Sequence, residues 1–158
     1  MVTAQRTLTI NAAFLQEIKD DNRELKLLLQ ECAAQLAPAG AARIDPALLV
    51  PALARLRDQL AMHFALEESY GYFDDAIDVA PRLSRQAETL RSQHSELYVA
   101  LCAVVERAEQ LLYHESGAVA AREIAGEFAE FHRQLQQHEA SEDALIMQVV
   151  NEEIGGGD

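Results

Sequence analysis

Apolar residues in this chain recur at alternating steps of three and four, the spacing of one face of an α-helix and not of a strand. Leu15, Ile18, Leu25, Leu29 and Cys32 mark a first stripe, with Asn22 as a polar intruder. Leu49, Leu53, Leu56, Leu60 and Tyr70 mark a second, interrupted by His63 and Glu67. Leu83, Ala87, Leu90, Leu97, Leu101, Val104, Ala108 and Leu111 form a third around His94. Ile124, Phe128, Phe131, Leu135, Leu145 and Val149 form a fourth, in phase with His138 and Glu142. The breaks between stripes carry ordinary helix-ending chemistry: Ala37-Pro38-Ala39-Gly40, the stretch from Gly71 to Pro81, and Gly117.

The pattern predicts four helices. The first starts at an Asn11 N-cap and runs to Leu36; the second is capped by Asp45 ahead of Pro46 and runs to Phe73. Pro51 either starts the main part of that helix after one short turn or kinks a longer one. The third covers Leu83 to Tyr113 and the fourth ends at Asn151. Residues 1–10 read as an extended arm, 11–152 as an all-α, up-down-up-down antiparallel four-helix bundle, and 153–158 as a flexible tail.

Composition supports this without adding to it: among 158 residues there are only seven Gly and four Pro. Charge narrows the partners. A formal net charge of −13 leaves no basic patch to displace counterions from a nucleic acid or to sit on an anionic membrane. No run approaches the roughly eighteen apolar residues of a spanning helix, and the first residues lead into no signal-like apolar region. Cys32 and Cys102 lack the close spacing of zinc or redox motifs and read as thiols in a reducing compartment. The expectation is a cytoplasmic protein, monomer or homodimer.

The intruders bring in the chemistry. His63 and Glu67, and again His138 and Glu142, stand four apart on a helix and point where the apolar stripe points. Counting about 1.5 Å of rise per residue from the turns sets Asn22 level with His63, and His94 level with His138. Three imidazoles and two carboxylates in one buried layer must be paired with each other or bind a cation. Mixed imidazole and carboxylate donors suit iron, manganese or zinc, and carboxylates able to bridge suit a dinuclear centre.

These residues resemble the hemerythrin-like, or HHE cation-binding, family. The resemblance rests on a helix-one ligand position within Glu17-Ile18-Lys19-Asp20-Asp21-Asn22-Arg23-Glu24-Leu25, on His63-Phe64-x-x-Glu67-Glu68, on His94 before Ser95-Glu96-Leu97, and on His138-x-x-x-Glu142, and it spans residues 11–150. It implies a four-helix bundle with a non-haem di-iron centre, in which Glu67 and Glu142 bridge the metals, His94 and His138 serve one iron, and His63 serves the other with a helix-one histidine. Two departures stand out. Asn22 occupies the place of that histidine, either as a weak ligand or as a buried residue that fixes register; Asp21 and Glu17 would compensate only if the helix rotates. Leu90 and Tyr98 flank His94 where oxygen-carrying relatives tend to have a second histidine. Tyr98 and Glu139 are therefore secondary ligand candidates beside Asn22, and Glu68 reads as a solvated residue.

The resulting expectation is one or two iron ions per chain, with zinc or manganese possible, in a centre that senses or handles dioxygen, peroxide or nitric oxide, or that binds iron. Two alternatives belong beside it: a metal-poor bundle serving as an interaction or regulatory module, and a small oxidoreductase acting on peroxide or nitric oxide. No dinucleotide, P-loop or nucleophile-elbow motif supports a further enzymatic class.

Overall fold

The computed structural model describes residues 2–37, 44–69, 81–113 and 118–155; for residues 2–15, 18, 19, 118, 150 and 152–155 it describes the backbone alone. Four long helices account for nearly all of it: α1 (Val2–Gln35), α2 (Pro46–Ser69), α3 (Ser84–Tyr113) and α4 (Ala118–Gly155), with a 3₁₀ turn at Pro81–Leu83 leading into α3.

The expected extended arm is instead the first three turns of α1. No Gly or Pro interrupts the chain between Met1 and Ala37. The β-branched Thr3, Thr7, Thr9 and Ile10 each lower helix propensity by only a few tenths of a kcal/mol, about the size of the spread among ordinary residues. Nothing there stops propagation, so Asn11 lies inside the helix and not at its start. At the other end α4 continues past Asn151 to Gly155. The turn at Pro38–Gly40, the connection from Tyr70 to Ala80, His114 and Gly117 lie outside the described residues.

The start of α2 follows its sequence closely. Asp45 Oδ1 accepts from the Ala47 backbone N–H at 3.0 Å, and the Asp45 carbonyl accepts from Leu48 and Leu49 at 3.1 and 3.0 Å. Pro46 takes the first helical position, where its missing N–H is not needed. Pro51 sits inside one continuous helix.

The pairings across the bundle show the helices alternate in direction. Asp21 meets His63 while Glu31 meets Arg55, so residues ascending α1 face residues descending α2. Gln93 meets His138 while Arg107 meets Glu123 and Glu127, which gives the same relation for α3 and α4. The molecule is an all-α four-helix bundle. Each helix packs extensively against its neighbour in sequence, but α1 and α4 meet over a narrow seam among the described residues.

Among the described residues the core is in two parts. The larger is built from Leu25, Leu29, Leu53, Leu56, Leu60, Leu101, Val104, Phe131, Leu135 and their neighbours. The smaller holds Leu83, Ala87, Leu90 and Leu145. Between them, where four helices would otherwise supply apolar side chains, lie Asp21, His63, Glu67, His94, His138 and Glu142, all buried. Cys32 is fully enclosed in the larger part, and burial pushes its thiol up to about 12. No helix is long and apolar enough to cross a membrane among the described residues.

Candidate metal centre

The polar layer is assembled by helical register. On α2, His63 and Glu67 are one turn apart and both follow the buried line of Leu53, Leu56 and Leu60. On α4, His138 and Glu142 repeat this in line with Phe131 and Leu135, and α3 contributes His94 between Leu90 and Leu97. The five residues expected to share a height do so.

Each imidazole is held by its outer nitrogen and presents the other inward. His63 Nδ1 donates to Asp21 Oδ2 at 2.5 Å, His94 Nδ1 to Glu68 Oε1 at 3.2 Å, and His138 Nδ1 to Gln93 Oε1 at 2.7 Å. Three acceptors fix three rings in one tautomer, with Nε2 toward the centre. Inward, His63 Nε2 lies 2.8 Å from Glu67 Oε1. His94 Nε2 lies 3.1 Å from Glu67 Oε2 and 3.8 Å from Glu142 Oε1. His138 Nε2 is in direct contact with Glu142 Oε1. Phe64 closes one side: its ring stacks on His94 at 4.1 Å between centroids and meets His138 edge-on at 6.0 Å.

These inward contacts are close but poorly aligned. His63 Nε2, Glu67 Oε2, His138 Nε2 and Glu142 Oε1 are buried and have no aligned hydrogen-bond partner. A buried polar atom without a partner costs about 1–3 kcal/mol, so four around one point call for something to bind them all. One donor atom each from Glu67, His94, His138 and Glu142 lies within 4.8 Å of the others. Two imidazole nitrogens and two carboxylate oxygens fit a divalent transition-metal ion, and each histidine has the outer anchor that such ligands need.

Without a cation, protonation of His63 and His94 offsets part of the negative charge of the layer. Burial pushes the His63 pKa down, but the carboxylates of Asp21 and Glu67 on either side of the ring outweigh that and raise it to about 10. His94 rises to about 9 for the same reason, against burial and through Glu142 and Glu67. Burial favours the neutral acid at Glu67, but the two imidazoles overcome it and hold the carboxyl at about 2. A cation entering the layer would displace protons from Nε2 atoms that already point at it.

Three secondary candidates fall elsewhere. Asn22 is exposed; the inward position on α1 belongs to Asp21. Asn22 lies three residues before the buried Leu25 and Asp21 four, and a helix permits either to face the seam. What decides between them is the partner: Asp21 accepts from His63 Nδ1 and, through Oδ1, from Gln59 Nε2 at 2.7 Å. Tyr98 stands one turn beyond His94 and turns from the layer toward Cys102, an interaction that raises its pKa. Glu139 is half-buried beside the layer, and burial foremost raises its carboxyl pKa. Sequence reasoning missed the outer anchors. Glu68 is exposed as expected, yet it holds His94, and Gln93 and Gln59 carry no sequence signal that separates them from other helix-surface amides.

Because α1 and α4 meet so narrowly, a cleft of about 430 Å³ opens between them and reaches the His63 side of the layer. Leu25, Leu29, Leu66 and Leu135 line its apolar part, and Asp21, Glu67, Glu139, Glu142 and Asp143 give it a strongly negative wall, with Lys26 as its one lysine. The His94–His138 side has a smaller opening of about 240 Å³ between α3 and α4, walled by Gln93, Gln134 and Gln137.

Neither the curated proteins nor the solved structures compared with the chain give a match. The family model of the hemerythrin HHE cation binding domain does, over residues 13–150, and so takes in every residue of the buried layer. The chain belongs to the hemerythrin HHE cation-binding family.

Proposed function

We propose that the protein binds iron in this layer, in an asymmetric centre that senses or handles dioxygen, peroxide or nitric oxide. The observation that carries the reading is the convergence of buried imidazole and carboxylate atoms around three histidines whose outer nitrogens are all anchored. Glu67, His94, His138 and Glu142 would hold one ion firmly, and His63 with Glu67 would hold a second less firmly. Bound iron would supply redox chemistry and an open coordination position. Around it the chain's residues have separate tasks. Asp21, Glu68 and Gln93 orient the imidazoles, Phe64 excludes water from the His94–His138 side, and the cleft admits a small neutral molecule to the His63 side. Its acidic wall disfavours anions. Zinc or manganese would fit the same donors, and two free thiols fit a cytoplasmic setting.

The cleft also favours a second reading, a small oxidoreductase for peroxide or nitric oxide, since it gives such a molecule a path to the open side. Metal analysis of protein purified without added metal tests the cation reading. About one or more transition-metal ions per chain are expected; a value near zero, with no gain in melting temperature on reconstitution, would leave a bundle acting only as an interaction module.

A further inference from the structure

The three outer anchors differ in charge. Asp21 holds His63 with a buried carboxylate whose other oxygen accepts from Gln59. Glu68 holds His94 with a carboxylate that is 40% exposed and has Arg91 Nε 3.9 Å away, so water and a guanidinium offset much of its charge. Gln93 holds His138 with a neutral amide at 2.7 Å. The surroundings of that amide are largely neutral as well. Gln134, Gln137 and Ser141 share the small opening between α3 and α4 with it, and Glu96 is the one carboxylate among the described residues that line it. The anchor that is both charged and buried therefore serves His63, outside the four-donor group of Glu67, His94, His138 and Glu142.

An anchor acts on a bound ion through the ring between them. A carboxylate behind Nδ1 makes the imidazole a stronger donor at Nε2 and brings a negative charge close to the ion, whereas an amide fixes the same tautomer and brings none. Added negative charge favours the more highly charged state of a redox-active ion. In the four-donor group the carboxylates of Glu67 and Glu142 already balance a divalent ion. His138 is only 2% exposed, so solvent screens little of whatever charge stands behind its ring. We propose that Gln93 is a positioning residue that sets this group for a divalent ion: by anchoring His138 without charge, it withholds the negative charge that would favour the trivalent state. The inference rests on the cation-binding reading of the layer and adds to it a preferred oxidation state, with iron resting as Fe(II).

Reduction potentials of the iron-loaded full chain, measured by mediated titration alongside iron content, test this. Gln93→Glu keeps the side-chain length and an acceptor for His138 Nδ1 but adds the charge. It should raise the preference for Fe(III) over Fe(II) at least about tenfold, a fall of about 59 mV in a one-electron potential, with iron content and helix content unchanged. Glu68→Gln removes charge from behind His94 and should move the potential the other way, by less, because Arg91 and water already offset that charge. The double exchange should fall between the two single variants. If Gln93 served only to hold the ring, Gln93→Glu would keep the wild-type potential, and that result overturns the proposal, as does a rise or a loss of iron. Should Gln93→Glu fail to fold, an unmoved potential in Glu68→Gln overturns it equally. Iron uptake with unmoved potentials removes this inference alone; a wild type that takes up no iron removes the cation-binding reading with it.

Discussion

The two sides of the polar layer are built from the same residue types and finished differently. On the α3–α4 side, His94 and His138 converge with Glu67 and Glu142 beside the ring of Phe64, and the opening there is small and lined by three amides with a single carboxylate, Glu96. On the α1–α2 side, His63 shares Glu67 but faces a wide acidic cleft, and the helix that should supply its partner ligand supplies an outer anchor. The difference follows the narrow seam between α1 and α4 among the described residues. Where α4 packs on α3 the donors close around a point, and where α4 leaves α1 they remain open. A binding site can thus be divided into a holding half and an exposed half by helix packing alone, with no change in ligand type.

The largest effect should come from attacking the holding half. His138→Ala removes a donor, so metal should be lost entirely; with the cation gone Glu67 and Glu142 stay buried without its counter-charge, and stability should fall by about 3–5 kcal/mol. Metal analysis and thermal melts would show it; full metal retention would mean the four-donor group is misassigned. His63→Ala should be milder, at about 1–3 kcal/mol for the buried Asp21 oxygen it strands, with the first metal equivalent kept. If instead both equivalents disappear together, the two halves are one unit and the comparison fails.

The metal-stripped protein should lose stability at both ends of the pH range. The folded-state pKa values of His63 and His94, about 10 and 9, lie above the ordinary 6.5. Their contribution is therefore complete below pH 6.5 and disappears as pH rises through 9 to 10. Glu67 is held at about 2, below its ordinary 4.5, so its contribution is present above pH 4.5 and is lost as pH falls toward 2. Denaturant melts across pH should give a plateau between these limits in the stripped protein, and His63→Ala should flatten the alkaline arm. Asn22→Ala is the smallest change, within about 0.5 kcal/mol and without effect on metal content, as for other exposed positions. A marked metal loss there would return Asn22 to the ligand set.

The bundle is legible in the sequence because its signal is redundant: dozens of apolar residues repeat one period, and an error at any one of them is outvoted. The layer is legible for a related reason, since His63–Glu67 and His138–Glu142 each fix a face and a height at once. The Asp21–Asn22 choice is not. Adjacent residues differ by about 100° around a helix, and a three- or four-residue step from Leu25 fits the seam equally well. Only the position of the His63 ring on another helix selects Asp21. The anchors Glu68 and Gln93 are hidden likewise, because a residue that grips a buried group from the surface shares the pattern of one that grips nothing. At the start of α1 a short β-branched run suggests an extended arm, but its penalty is too small to unwind a helix.

The position of the layer between the two blocks of core has a consequence for how the molecule opens. Among the described residues, Leu83, Ala87, Leu90 and Leu145 form a small apolar cluster, and the ionisable side chains lie between it and the main block. A cation spanning α2, α3 and α4 would rivet it to the rest. Amide exchange at Ala87, Leu90 and Leu145 should then slow with metal loading, while amides around Leu101 and Phe131 exchange only when the whole bundle unfolds.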